Sequence, residues 1–418
     1  MGGWIMLNLV THYQQWLAQK IPADVLSPLR SDAMEAFAAT GFPTHKTENW
    51  RYLRLTGLRE QAFEVMPPSY LDEAVLAPLL LADCYHIVCL NGFLMPKYSQ
   101  LPHGVTLNNL RSQLTDPAIQ ALIHQSDLSS SLVALNTALF QEGLVIDVKD
   151  KLDKPIQCLF LTDDLGAHCT SQQRHVLRLN VDAAAIIIAE HISLTEQVFF
   201  TNSVWHIELA ERANGTYYQL LTDNAKAIHI DHCLLNQQAR SVYHAYGFLN
   251  GGALVRTDLQ QAFLGEHASC TVKALTLASG QQQVDQHVLV RHCVPQCESK
   301  QCFKGLSTNQ ARLILNAKVI VDQQAQKTAA QQQLQHLLLS PKAEIYSKPE
   351  LEIYANDVKC AHGATIGQLS DAALFYLKSR GIDDARAVLI NAFMQELLDL
   401  LKWPDLKARI SSLFSVDA

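Results

Sequence analysis

Nowhere in this sequence do five Lys or Arg residues follow one another. Charged residues are only 17% of the chain and the net charge is −7. A mildly acidic chain without a basic run is a poor match for a phosphate backbone, so no nucleic-acid role is expected. Long apolar runs are also missing. Val75 to Leu94 comes nearest but is interrupted by Asp83, His86 and Asn91, and Ala183–Ala189 falls far short of the ~20 residues a membrane span needs. Met1 to Val10 has no basic segment and no small-residue cleavage site, so no secretory signal is expected. The ten cysteines are then read as reduced thiols in a cytoplasmic protein, not as a disulfide framework. Catalytic signatures are absent as well. There is no G-x-x-x-x-G-K-S/T, so no nucleotide is expected to bind by P-loop chemistry. There is no G-x-G-x-x-G after a strand, no H-E-x-x-H and no G-x-S-x-G. These absences lean toward a scaffold and away from an enzyme.

What is present is apolar and periodic. With 418 residues and 48% hydrophobic content, the chain exceeds one small core. Leu7, Val10, Tyr13 and Leu17 lie at helical spacing. After Pro28, Asp32 and Glu35 form a capping-box pattern, and Gly41 with Pro43 ends that helix. An N-terminal helical region over 1–83 follows.

The period then changes to two. Leu177, Leu179 and Val181 alternate with polar neighbours, as do Trp205, Ile207 and Leu209, and Ile228 with Ile230. Strands with one buried face read this way. Further runs at Val288–Val290, Leu313–Leu315 and Val319–Val321 are separated by turn signals such as Asn214-Gly215, Asn250-Gly251-Gly252 and Ser279-Gly280. Helical signals are nearly absent from Cys84 to Tyr354, which predicts a mainly β core over 84–357. A sandwich, barrel or solenoid all fit short strands. So long an all-β stretch favours a solenoid, whose coils contact only their neighbours. The Gln-rich stretch Gln323–Gln335 reads as a polar excursion between coils.

Helical periodicity returns after Gln368 and defines a C-terminal region, taken as 358–418. Ser370 caps one helix, Gly381 ends it, and Asp383 caps the next. Ala385, Leu389, Ala392, Phe393, Leu397 and Leu400 form a stripe, broadened by Val388, Ile390, Met394 and Leu401. Packing within its own domain and docking of a partner both fit so wide a stripe.

Two cysteine groups could carry chemistry. In the first, His292, Cys293, Cys297 and Cys302 offer soft donors. Their C-x3-C-x4-C spacing is no standard cluster or zinc spacing, and odd offsets point to opposite faces of a strand. Incidental thiols and a metal site stay open there. In the second, Cys360 and His362 are two apart and share one face of an extended strand. Such a pair can bind iron or a nascent cluster, and an imidazolium beside a thiol would lower its pKa. The ordinary alternative is burial of two unrelated side chains.

The residues around that pair carry a resemblance. Leu351-Glu352-Ile353-Tyr354-Ala355-Asn356-Asp357-Val358-Lys359-Cys360-Ala361-His362-Gly363-Ala364-Thr365-Ile366-Gly367-Gln368-Leu369, followed by Leu374-Phe375-Tyr376-Leu377-Lys378-Ser379-Arg380-Gly381, resembles the SufD family signature. Phe303-Lys304-Gly305 and Leu337-Leu338-Leu339-Ser340 resemble the core shared by SufB and SufD. Gly41-Phe42-Pro43 and Glu48-Asn49-Trp50-Arg51-Tyr52 resemble the SufD-type N-terminal segment. Asn356 and Ala361 stand where the family often has Asp and Ser. The sibling SufB, the near alternative, has H-E-A-T-T-S where this chain has H-G-A-T-I-G.

The resemblance implies a right-handed parallel β-helix core flanked by N-terminal and C-terminal helices. It implies a non-enzymatic scaffold for iron–sulfur cluster assembly that pairs with a SufB-like paralogue and docks a SufC-like ABC-type ATPase. Phe375, Leu389, Phe393 and Leu397 are the expected docking residues. His362, with Cys360, is expected to hold iron or a transient cluster at the subunit interface. The persulfide-accepting cysteine belongs to SufB, and no flavin site is legible. The isolated chain is expected to be able to form a homodimer. ATP-driven movement of residues 366–401 would expose Cys360 and His362. Two other readings stand beside this one: a β-rich metalloenzyme using His287, His292 and nearby cysteines, and a purely structural solenoid.

Overall fold

The computed structural model describes residues 2–415, with side chains from Leu9 onward apart from Thr56. From Cys169 the chain winds as a parallel β-solenoid of about seven turns. Each coil contributes one strand to each of two sheets. The first sheet stacks Cys169–Leu179, Phe200–Leu209, Ile228–Gln237, Leu254–Phe263, Gln283–His292, Arg312–Val321 and Glu344–Ile353. The second stacks Ala184–Ser193, Asn214–Leu221, Val242–Leu249, Ser269–Ala278, Glu298–Ser307, Thr328–Leu338 and Val358–Gly367. Register is in step: Phe200, Ile228, Leu254, Gln283, Arg312 and Glu344 stand one above another.

The period of two arises because alternate residues enter a lumen between the sheets. Trp205, Cys233, Leu259, Val288 and Ala317 form one such column, all part of or packed on a single apolar cluster. No consensus repeat was legible because the repeat is conformational. Asp182, Arg212, Arg240, His267, Gln296 and Lys327 all take left-handed backbone, φ +58° to +62°, at the same corner of successive coils. Five side-chain types occupy it, so the corner is set by the stack above and below more than by glycine.

Helices cover both outer faces. Gly2–Lys20, Ser27–Thr40 and Ser131–Leu139 cover the first sheet through a cluster containing Tyr13, Phe37, Leu135, Phe200 and Ile228. Ala385–Leu398 and Pro404–Leu413 cover the second through Ile390, Met394, Ile410, Leu220 and Leu275. At the early end both sheets close with an antiparallel strand, Phe93–Leu94 on one and Val105–Asn109 on the other. At the late end Glu344–Ile353 and Val358–Gly367 each have a neighbour on one side only. Among the described residues no helix is long and apolar enough to cross a membrane.

Several expectations need correction. Asp32 and Glu35 form no capping box: the helix starts at Ser27, with Pro28 in its first turn. Gly41 does end it, at φ +61°. The stretch read as nearly free of helical signals contains Pro117–His124 and Ser131–Leu139; Asp116 caps the first by accepting from the Ala118 N–H. Most of the Gln-rich stretch is a strand, because Gln332 is buried and donates to Ala317 O at 2.9 Å across the lumen. The solenoid runs on through Gly367, so Cys360 and His362 lie in its last strand, and the C-terminal helices begin at Asp371. Leu7 falls outside the described side chains.

Candidate functional site

The late end of the solenoid carries Cys360 and His362. Cys360 stacks on Ala330, Ser299 and Cys270; His362 stacks on Gln332, Gln301 and Val272. Cys270, Val272 and Ala330 belong to the lumen cluster, and Cys360 packs against it. The pair therefore sits on the inward face of an end strand with no coil above it. Cys360 is half-buried and His362 exposed. The column below His362 is polar: Gln332 and Gln301 are buried, and Gln332 Oε1 has no hydrogen-bond partner within the chain.

Burial pushes the Cys360 thiol up, and a hydrogen bond from the Ala330 backbone offsets this only in part. Desolvation is the largest cause, and it runs against the lowering expected from a neighbouring imidazolium. In this state the thiol is protonated and a poor ligand; uncovering or metal contact is needed to make it a thiolate.

The rim of this end is apolar. Ile353, Tyr354 and Ile366 are exposed, and so are Phe375 and Tyr376 on the helix Asp371–Ser379. Two unpaired strand edges with exposed apolar side chains are a template for another chain. The N-terminal motif braces the same end. Tyr52 stacks on Tyr346 at 4.2 Å, and Arg312 donates to Tyr52 O at 2.7 Å. Trp50 lies over the Arg256 guanidinium at 3.8 Å. Arg256 in turn bonds Asp258 and Asp285, beside His287. Burial alone would raise the Asp258 carboxyl, but Arg256, then His232 and His287, hold it down at about 2. This network, which sequence reasoning missed, explains the Glu48–Tyr52 segment as a strap along the first sheet. It also places His287 in an ion-pair cluster.

The other thiols do not converge. Cys297 lies in the lumen cluster, its thiol donating to Gly265 O at 3.4 Å. Cys302 alternates with inward Phe303 and faces outward near Glu396 and Lys273. Cys293 lies near Asp322 and Arg291. His292 is a buried core side chain packed at a tilt against Phe263 and bonded to Ser299.

The four expected docking residues also separate. Phe375 is 76% exposed, whereas Leu397 is 1% exposed within the cluster against the second sheet. Leu389 is half-buried. Phe393 packs on that cluster beneath the Lys304 ammonium, 5.2 Å from its ring. Leu397 is thus core: the helix Ala385–Leu398 turns Ile390, Met394, Leu397 and Leu398 to its own sheet.

Comparison with known proteins agrees with this architecture. Residues 160–393 match the family model described as SUF system FeS cluster assembly, SufBD core domain, and residues 6–158 match the SufBD protein N-terminal region. The chain is 32% identical to the iron–sulfur cluster assembly protein SufD of Escherichia coli, over 92% of this chain and 91% of that protein. It is 31% identical to an iron–sulfur cluster assembly SufBD family protein of Synechocystis, over 92% and 90%. It is 27% identical to Protein ABCI7, chloroplastic, of Arabidopsis thaliana, over 92% and 84%.

Proposed function

The chain belongs to the SufBD family of iron–sulfur cluster assembly proteins, and on that premise we propose that it is a non-catalytic, cytoplasmic scaffold subunit for cluster assembly. It joins a SufB-like paralogue through its open late end, and iron or a nascent cluster is the cargo held between the two chains by His362 and Cys360. One observation carries this reading: both side chains face inward on a strand that has a neighbour on one side only. A partner coil laid on Glu344–Ile353 and Val358–Gly367 would satisfy their backbone edges and enclose the pair. The same edges account for a homodimer of the isolated chain. A SufC-like ATPase docks on the outer side of the C-terminal helices, with Phe375 and Tyr376 as its exposed anchors. Its ATP-driven closure shifts residues 366–401 and uncovers the raised-pKa thiol. No flavin or nucleotide is assigned to this chain.

The test is co-purification of the tagged chain with SufB-like and SufC-like proteins from its source cell, followed by cluster building in vitro. The expected result is a stable complex that builds clusters with His362 intact and loses this with His362→Ala while the complex persists. Clusters built equally well by His362→Ala would overturn the role of the site. A chain that purifies alone would overturn the scaffold reading.

A further inference from the structure

The lumen holds a second constellation, far along the solenoid from Cys360 and His362. His191 lies near the end of the strand Ala184–Ser193, His229 is the second residue of Ile228–Gln237, and Asp223 lies in the connection 222–227 between coils. The winding brings together residues 38 positions apart at their extremes. Each offers a ligand atom within 4.8 Å of the other two, and all three are buried. Their rings meet at 4.5 Å, edge to face, and Phe160 stacks on His191 at 4.7 Å, fixing its plane.

The protein satisfies this group poorly. His229 Nδ1 is 3.3 Å from Asp223 Oδ2, and its Nε2 is fully buried without any hydrogen-bond partner. Among the described residues Asp223 has no Lys or Arg partner. Among the described residues, only Ser193 Oγ, at 3.2 Å, and His229 approach its carboxyl oxygens. A charge-assisted hydrogen bond closes to about 2.7–2.9 Å. A spacing of 3.3 Å instead matches the roughly 3.4 Å edge of a tetrahedron built on bonds of 2.0–2.1 Å.

We propose that His191, Asp223 and His229 form an internal site for one divalent first-row transition-metal ion, Zn²⁺ or Fe²⁺. Two imidazoles and one carboxylate, with no thiolate among them, suit these ions. The ion would tie two successive coils at their corner. The inference is independent of the cluster-assembly reading, because it uses neither Cys360 nor His362.

The test uses the full chain carrying Cys360→Ala and His362→Ala, stripped with a chelator and titrated with Co²⁺ as a spectroscopic probe and then with Zn²⁺. One equivalent should bind, with Co²⁺ ligand-field bands in the visible. Asp223→Asn and His229→Gln should each weaken Zn²⁺ by more than about 100-fold, the upper end of what losing an outer hydrogen-bond partner of a ligand costs. If His229→Gln fails to fold, Asp223→Asn decides alone. Absence of any bound ion, or unchanged affinity in Asp223→Asn, overturns the proposal.

Discussion

Replacing Leu397 by alanine separates two roles that the C-terminal helical stripe could have. Leu397 is 1% exposed and lies in the cluster with Ile390, Met394, Leu275 and Leu306. Truncation loses about 2 kcal/mol of transfer free energy, and a void that a rigid sheet cannot fill adds another 1–2, so roughly 3–4 kcal/mol in all. Because a helical layer opens locally before a solenoid unfolds, the loss should appear as faster amide exchange over the helices Ala385–Leu398 and Pro404–Leu413, by about 100-fold or more. Phe375→Ala is the contrast. At 76% exposure it should cost no more than about 0.5 kcal/mol and leave exchange unchanged, yet weaken capture of the ATPase. Hydrogen exchange on the isolated chain and ATPase capture, run in parallel, read both. Unchanged exchange with abolished capture in Leu397→Ala would refute the packing assignment.

Arg409→Ala strands Glu190, whose carboxylate is 1% exposed and meets the guanidinium at 2.8 Å. Burial already raises the Glu190 pKa against the pull of Arg409 and Gln157. A loss of about 3 kcal/mol is expected, with Glu190→Gln in the same background restoring much of it; urea midpoints check this, and no rescue would count against a buried charge. Acid should destabilise the chain well above the carboxylate range. Burial holds His175 and His206 down to about 3, Arg174 adding to the effect on His206, and holds His292 and His336 to about 4. Their folded pKa values lie below the unfolded value, so the unfolded chain takes up more protons. The stability is full above about pH 6.5 and falls as pH drops, by about 2 kcal/mol per histidine at pH 5. Urea midpoints at pH 7.5 and pH 5 should differ strongly; equal midpoints would refute neutral burial.

The strands were legible wherever lumen-facing residues are apolar, as in Trp205, Ile207 and Leu209, because period two survives in sequence. It fails where a lumen position is polar. Gln332 and Gln301 are buried through hydrogen bonds and neighbours from other coils, which no local window contains. The corner repeat escaped because a backbone angle recurs there while side chains change from Asp182 to Lys327. The Cys360–His362 pair was legible because two-residue spacing on a strand fixes a shared face. Leu397 was not, since a stripe covering over half a helix does not reveal which side meets the sheet. The strap of Trp50 and Tyr52 depends on Arg256 and Tyr346, more than 200 residues away.

The two ends of the solenoid differ in a way that bears on how many copies could join. The early end is closed by Phe93–Leu94 and Val105–Asn109, antiparallel strands of two and five residues that stop coil-on-coil growth. Among the described residues, only the late end presents ten-residue parallel strands as its open edges. A molecule with one adhesive end and one blunt end cannot form a chain of copies, since head-to-tail addition needs both. Joined late end to late end, two such molecules consume each other's valence. In that arrangement polarity, not charge, would oppose fibre formation, the usual hazard of a bare parallel edge.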